Sequence, residues 1–424
     1  MRKLNLYSQV RDIKNLRKAW GRVRLNATSS QSNSIKQQAL EFDKEIDKHL
    51  SRIQTQLRTK KYKFKPAIGI AKEDKPGKKR PIVIACIEDR IVQRAILQTL
   101  QNISSLKSLI ETPTSCGGIQ ERSVRYAVNM AHDKVLEDGT YFIRSDIQGF
   151  FTKIPKDIVL SEIKKHSPDD DFNELVRNSI EVILSNTNEL GRDLKLFPTT
   201  DIGVAQGSCL SPLLGNILLH EFDKVLNSED VLCLRYIDDF LLLGPSRKAV
   251  TAKLKKGNRI LKELGLEAYD PQHNTDKAAH GESNRGIIFL GCDIRPNSIT
   301  PMKASRTRLL EKVKNRLNRS KISLRASPIK GPLGEQSFVE SLENVSHIVK
   351  AWGNQYQFCN NEQVMAQLDE KISQEIKEYI SFYADQARKL ESTDSLARRR
   401  LLGVHALVDS KKDPIVPTKK QSTF

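Results

Sequence analysis

The nine residues Arg235-Tyr236-Ile237-Asp238-Asp239-Phe240-Leu241-Leu242-Leu243 set two adjacent carboxylates between two apolar runs, residues 231–234 and 240–243. Short runs of bulky apolar residues read as buried strands, so the sequence predicts a hairpin with Asp238 and Asp239 at its tip. Neighbouring acids repel unless they share a cation, and a divalent metal that also holds phosphates supplies one. A further acid stands in Arg144-Ser145-Asp146-Ile147-Gln148-Gly149-Phe150-Phe151, at the end of a strand predicted over residues 141–147. Asp146 lies 92 residues ahead of Asp238, so only a folded sheet can unite them. Read alone, Asp146 is a strand-end acid capping a turn. With Asp238 and Asp239 it completes the carboxylate supply of two-metal phosphoryl transfer, in which one ion activates an attacking 3′-hydroxyl and the other steadies the leaving oxygen.

Two more segments bear on phosphate and nucleotide chemistry. Gly203-Val204-Ala205-Gln206-Gly207-Ser208-Cys209-Leu210-Ser211-Pro212 joins a glycine-containing turn, where backbone can approach a nucleotide closely, to a helix that tolerates proline in its first turn. No G-x-x-x-x-G-K-[ST] occurs, which excludes a phosphate-cradling P-loop. Lys72-Glu73-Asp74-Lys75-Pro76-Gly77-Lys78-Lys79-Arg80-Pro81 is a basic turn. Read alone it is a solvated surface turn; in a nucleotidyl transferase it can clamp a triphosphate, arginine through two parallel bonds and lysine as a point charge.

These residues need a scaffold of mixed elements. Helical spacing covers residues 35–57, 89–100, 158–163, 172–184, 210–222 and 248–264, and the chain reads as helical and basic from Pro301 onward. A hairpin is expected over residues 67–85 and a strand pair over 286–294, with Gly291 at its bend. Residues 391–424 are polar, Arg- and Lys-rich, and read as a poorly ordered tail. The 424 residues carry 70 Lys and Arg against 51 Asp and Glu, a net charge of +19, which suits a polyanionic partner such as nucleic acid. Lys303, Arg306, Arg308, Lys312, Lys314, Arg316 and Arg319 form a basic helical run that can track a phosphate backbone or simply face solvent. The six cysteines form no C-x-x-C pair and read as reduced residues of a cytoplasmic protein. No apolar run is long enough for a membrane span.

The chain resembles bacterial reverse transcriptases of the group II intron-like lineage. Tyr236-Ile237-Asp238-Asp239 is similar to the family's Tyr-x-Asp-Asp box, Asp146 to Phe151 to its Asp-Ile-x-x-Phe-Phe motif, and Gln206-Gly207 with Ser211-Pro212-Leu213-Leu214 to its Gln-Gly-x-x-x-Ser-Pro-Leu-Leu helix. Lys79-Arg80-Pro81 and Asp89-Arg90-Ile91-Val92-Gln93 resemble the fingers signature, Phe289-Leu290-Gly291 the primer-grip turn, Leu16 to Trp20 an N-terminal extension and Ala351 to Tyr356 a helical thumb. The motifs run in family order over residues 10–385. Departures are Ala205 in place of the usual proline, Ser115-Cys116-Gly117-Gly118-Ile119 in place of a Gly-Phe-Arg stretch, and an unusual context for Lys277.

The resemblance implies an α+β right-hand fold: an N-terminal helical extension over 1–60, fingers over 61–140, a palm of antiparallel sheet packed on helices over 141–300 with inserted fingers helices at about 155–200, a helical thumb over 301–385 and a basic tail over 386–424. It implies catalytic Asp146, Asp238 and Asp239, with Asp146, Asp238 and the Ile147 carbonyl ligating two Mg²⁺ ions (Mn²⁺ as substitute) and Asp239 in support. Phe151 would exclude a 2′-hydroxyl, Gln206 and Gly207 would line the nucleotide, Lys72 and Arg80 would hold its triphosphate, and Lys277 would protonate pyrophosphate or face solvent. The implied partners are template RNA, dNTPs and a DNA product. With no endonuclease motif after the thumb, the chain is most similar to compact stand-alone enzymes associated with phage defence, which copy a non-coding RNA encoded beside them. A maturase-like RNA-binding protein, a protein-primed enzyme and an untemplated nucleotidyl transferase stay open, as does the oligomeric state.

Overall fold

The computed structural model describes residues 5–30, 32–75, 77–326, 333–390 and 395–410. The chain divides into two compact units, Met1–Gly286 and Ile287–Phe424. No helix among the described residues is long and apolar enough to cross a membrane.

The first unit is α+β. Its N-terminal helices Ile13–Thr28, Asn33–Lys44 and Ile46–Arg58 bury one apolar stripe each; the first packs against the Ile87–Gln101 helix, and its Trp20 packs near Phe42 and donates to Asp43 at 3.0 Å. The single helix expected over residues 35–57 is two, because the backbone leaves helical geometry at Glu45 (φ −123°, ψ 36°). Strands β1 (Ile68–Lys75) and β2 (Lys78–Ile84) form the predicted basic hairpin, with Lys72 opposite Arg80. Asp89, buried in the first turn of the Ile87–Gln101 helix, accepts from the Tyr62 hydroxyl at 2.7 Å and the Lys65 amide at 2.9 Å, and so ties the chain entering this hairpin to the helix leaving it.

The second sheet has four antiparallel strands. They are β3 (Tyr141–Asp146), β4 (Leu232–Tyr236), β5 (Asp239–Gly244) and β6 (Ala279–Glu282), in the order β4-β5-β3-β6. Leu241, Leu242 and Leu243 are buried on both faces of β5, which explains an apolar run without alternation in an inner strand. The helices Val124–Glu137 and Arg247–Glu263 pack on the sheet. The short edge strand β6, the Val124–Glu137 helix and the Ser104–Ile110 helix are not among the expected elements, although Val124, Ala127, Val128, Ala131 and Val135 stand at helical spacing.

Two other expected helices are shorter in the structure. The helix predicted over 172–184 ends at Ile180, after which Val182 and Leu184 are buried and Ile183 is exposed. That alternation is a strand's, and the Ala67 amide donates to the Ile183 carbonyl at 2.8 Å. The helix predicted over 210–222 is broken at Leu219 (ψ 7°) into Ser211–Leu218 and His220–Leu226.

The second unit holds a three-stranded antiparallel sheet, β7 (Ile287–Phe289), β8 (Cys292–Arg295) and β9 (Ser298–Pro301), followed by the helices Lys303–Ala326, Phe338–Tyr356 and Glu362–Lys389. Leu309, Val313, Leu317, Val345, Ile372 and Tyr379 form the core of these helices. Within the supposed tail, Ser395–Leu402 is helical and buries Ala397 and Leu401; residues 391–394 and 411–424 lie outside the described residues.

Replacing Asp89 with Ala leaves the Tyr62 hydroxyl and the Lys65 amide without their acceptor. A fully buried donor so stranded costs about 1–3 kcal/mol, and these two are partly buried. Urea denaturation of Asp89→Ala is therefore expected to show a loss of about 3 kcal/mol with an unchanged slope.

Candidate active site

Backbone pairing brings the three acids together. Asp146, the last residue of β3, sits opposite Asp239, the first residue of β5. Tyr236 closes β4 opposite the same Asp239, so Ile237 and Asp238 form the two-residue turn of the β4–β5 hairpin. The Ile147 amide donates to the Asp238 carbonyl at 3.0 Å, which locks the end of β3 to that turn. Beyond it, the Tyr269 amide donates to the Asp146 carbonyl at 3.0 Å and the Ser145 hydroxyl to the Tyr269 carbonyl at 2.7 Å.

The site carries the repulsion its composition predicts. Burial and the nearby Asp146 raise the Asp238 carboxyl above its usual range, against the pull of Lys277 and Arg80. Burial, Asp146 and Asp238 push Asp239 up to about 6, opposed by Arg144 and Lys277. Lys277 donates to the Asp146 carboxylate at 2.9 Å and lies 5.8 Å from the Tyr269 ring centroid. Burial disfavours its charge, but the bond to Asp146 holds the ammonium above its ordinary value. Lys277 thus stands at the acids, not out in solvent. Sequence reasoning did not single out Tyr269 and Arg144; the alternation of β3, which gives Arg144 and Asp146 the same face, was the available signal for Arg144.

The donor chemistry fits a hard divalent cation. Two closely set carboxylates with raised proton affinity, a third acid at the paired strand end and the adjacent Ile147 peptide offer oxygen ligands only. Among the described residues no three His, Cys, Asp or Glu side chains are already gathered as a ligand set. Lys277 supplies one positive charge at Asp146 in the meantime.

The neighbouring segments of the first unit bond to one another, and Arg80 of the basic hairpin acts on Asp238. Phe150 is buried, whereas Phe151 is half-buried, with the two ring centroids 5.5 Å apart. The Phe151 carbonyl accepts from Val204 at 2.7 Å, which joins the aromatic pair to the Gln206 loop. Gln206 is half-buried, and its carbonyl accepts from Val83 of β2 at 2.8 Å. Gly207 is exposed with φ 118°, and a Cβ there would meet the Val83 carbonyl oxygen at 2.7 Å. The close approach read from the sequence is therefore, first, an approach to β2. Lys72 and Arg80 are exposed on adjacent strands, and Arg80 is close enough to act on Asp238.

The remaining expected contacts lie in the second unit. Phe289 is buried, and Leu290 (φ 48°) and Gly291 (φ 83°) form the turn between β7 and β8. On the Lys303–Ala326 helix, Lys303, Arg308 and Lys312 are exposed. Arg306 and Arg316 are half-buried, and Arg316 donates to the Glu335 carbonyl, so part of the basic run serves the unit's own packing.

Raised carboxyl pKa values have a defined sign. Stability due to neutral Asp238 and Asp239 is complete below the unfolded value and is lost as pH rises through the folded value, about 6 for Asp239. Metal-free protein is expected to show a Tm that falls between pH 4 and about 7 relative to Asp239→Asn, and Mg²⁺ is expected to raise Tm more at pH 7 than at pH 5. Scanning calorimetry across that range checks both.

Residues 70–294, just over half of the chain, match the family described as reverse transcriptase (RNA-dependent DNA polymerase). The chain is 28% identical over 255 residues to Protein YkfC of Escherichia coli, covering 51% of this chain and 63% of that protein. It is 27% identical over 251 residues to an uncharacterized 91 kDa protein in the cob intron of Schizosaccharomyces pombe, covering 57% of this chain and 29% of that one. It thus spans less than two thirds of the length of these relatives. Among solved structures it is similar to apo telomerase from Candida tropicalis, at a TM-score of 0.40 and 17% identity, covering 56% of this chain and 54% of that one. With the matched segment running from the basic hairpin through both acid motifs to β8, the chain belongs to the reverse transcriptase family.

Proposed function

We propose that the chain is an RNA-directed DNA polymerase that extends a primer 3′-hydroxyl with dNTPs on an RNA template. The observation that carries the reading is the pairing of Asp146 with Asp239 beside the Asp238 turn, which sets three carboxylates at one strand end. Asp146, Asp238 and the Ile147 carbonyl would hold two Mg²⁺ ions, with Asp239 supporting them. Bound there, the ions supply activation of the attacking hydroxyl and neutralisation of the leaving pyrophosphate. The chain's own residues do the rest. Arg80 and Lys72 draw the triphosphate to the acids, Gln206 and Gly207 border the nucleotide, and Lys277, already at Asp146, is in place to give a proton to the pyrophosphate. Phe151, the less buried of the two aromatics, is the one available to face a sugar.

In this reading residues 1–60 form an N-terminal extension, 61–140 the fingers with helices from about 155–200, 141–300 the palm, 301–385 the thumb and 386–424 a basic tail. The Phe289-Leu290-Gly291 turn grips the primer. Lys303, Arg306, Arg308, Lys312 and Arg316 belong to a thumb helix that meets nucleic acid by charge and shape, the exposed members more than Arg316. The lineage resemblance further supports an enzyme that copies a neighbouring non-coding RNA in anti-phage defence.

Purified protein is expected to incorporate dTTP on poly(rA)·oligo(dT) with Mg²⁺, and Asp238→Ala is expected to abolish incorporation while leaving the fold intact. Equal or better use of UTP would sink the DNA polymerase reading. Phe151→Ala is expected to reduce discrimination of dTTP over UTP by about tenfold or more, by removing a steric clash with the 2′-hydroxyl. Sequencing the RNA and DNA that co-purify tests the template separately: an unrelated bound RNA would remove the non-coding-RNA part and leave the polymerase reading standing.

A further inference from the structure

We infer that Arg235, which touches neither substrate nor metal, is the positioning residue that holds the Ile237-Asp238 turn in its working shape and couples it to the Ser211–Leu218 helix that follows Gln206 and Gly207. This rests on the polymerase reading and extends it to a residue whose role the motif leaves unassigned.

Ile237, between Tyr236 and Asp238, has φ 64°. A β-branched residue in the left-handed region is a genuine outlier, and such strain persists only where the surroundings over-determine it. The surroundings here are specific. The Arg235 guanidinium is fully buried and uses all five of its N–H groups. Nε and Nη2 form a two-point pair with the Asp223 carboxylate at 2.6 and 2.5 Å. Nη2 also donates to the Ser115 hydroxyl at 2.9 Å, and Nη1 to the Asn216 side-chain oxygen at 3.0 Å. The remaining Nη1 bond goes to the Ile237 carbonyl at 2.9 Å, within the strained turn itself.

The partners join three other segments to the turn. Asn216 lies on the Ser211–Leu218 helix that follows Gln206, and its amide also donates to the Gly117 carbonyl at 3.0 Å. Asp223 lies on the next helix, His220–Leu226. The Ser115-Cys116-Gly117 segment lies alongside β4 through bonds of Arg235 N to Thr114 O at 3.0 Å and Cys116 N to Arg235 O at 2.8 Å. At Gly117 a Cβ would meet the Ile237 amide nitrogen at 2.6 Å, so this glycine closes the other side of the turn. The segment that stands where a Gly-Phe-Arg stretch was expected therefore backs the acid hairpin. A fork with five donors is the only side chain that can serve a carboxylate, an amide, a hydroxyl and a carbonyl at once; lysine offers three donors from one point.

A buried ion pair kept only for stability predicts a different outcome from one that shapes the turn. Replacing both charges with apolar groups of similar size is often neutral for stability, so Asp223→Leu with Arg235→Met removes the Ile237 bond without stranding a charge. Arg235→Lys is the companion variant, which keeps the charge on Asp223. Each is made with and without Ile237→Gly, since glycine adopts φ near 64° without strain. The measurements are Tm, kcat and KM for dTTP on poly(rA)·oligo(dT), and Mn²⁺ affinity by electron paramagnetic resonance. Folded variants are expected to lose about 100-fold in kcat, the scale of a small misplacement of reacting groups, with KM for dTTP within about threefold and weaker Mn²⁺ binding; Ile237→Gly is expected to return at least about tenfold of the loss. A folded Asp223→Leu/Arg235→Met protein with turnover and Mn²⁺ affinity near wild type would overturn the inference, as would a kcat loss in Arg235→Lys that Ile237→Gly leaves untouched. Failure of the wild-type protein to incorporate dTTP at all overturns the polymerase reading instead, and the Mn²⁺ affinities of the same variants then still decide the role of Arg235.

Discussion

Mutual repulsion of Asp146, Asp238 and Asp239 is the constraint on which the first unit turns. Their side chains oppose the meeting: burial first and the neighbouring acids second raise the proton affinities of Asp238 and Asp239, and Lys277 offsets only part of it. The backbone imposes the meeting. The β3–β5 ladder fixes Asp146 opposite Asp239, and the bond from the Ile147 amide to the Asp238 carbonyl pins that end of the ladder to the turn. The backbone register holds the acids together.

This division of labour explains what the sequence made legible. The hairpin, its tip acids and the strand ending at Asp146 could be read because each combines an apolar run with an acid at its end, a pattern with a local cause. The β1–β2 hairpin was legible from its basic Pro-Gly turn. Helix ends were less so: residues 182–184 prolong the apolar run of the preceding helix, but they are drawn out to pair with Ala67, a partner 117 residues away for Leu184. Edge strand β6 has only four residues, Ala279–Glu282, with no apolar run, and it forms by pairing with the edge of β3. Long-range pairing leaves no mark on local periodicity.

The same limit governs the site residues. Lys277 looked as much like a surface lysine as a functional one, since its position depends on the Tyr269 and Asp146 backbone contact rather than on its neighbours in sequence. Gly207 was legible as a close-approach glycine, but what it approaches, the Val83 carbonyl, was not. Basic residues are the hardest to assign from charge alone. Arg316 and Arg308 occur in one run on one helix, yet Arg308 is exposed and Arg316 turns back to the Glu335 carbonyl. Net charge sets the partner class, and only placement separates the arginines that face a polyanion from those that satisfy the fold.

Arg235 carries that distinction to its end. It stands in the most informative stretch of the chain, beside the acids, and a positive charge there invites reading as a phosphate contact. Full burial against Asp223 removes it from any polyanion and makes it part of the interior. In the interior, a guanidinium is costly unless every donor is met, and the set that meets this one spans two helices, the Ser115 segment and the turn. Satisfying the arginine therefore fixes four segments relative to one another. The acids are brought together by strand register, but the shape of the turn that presents Asp238 follows from where a buried arginine finds its fifth bond.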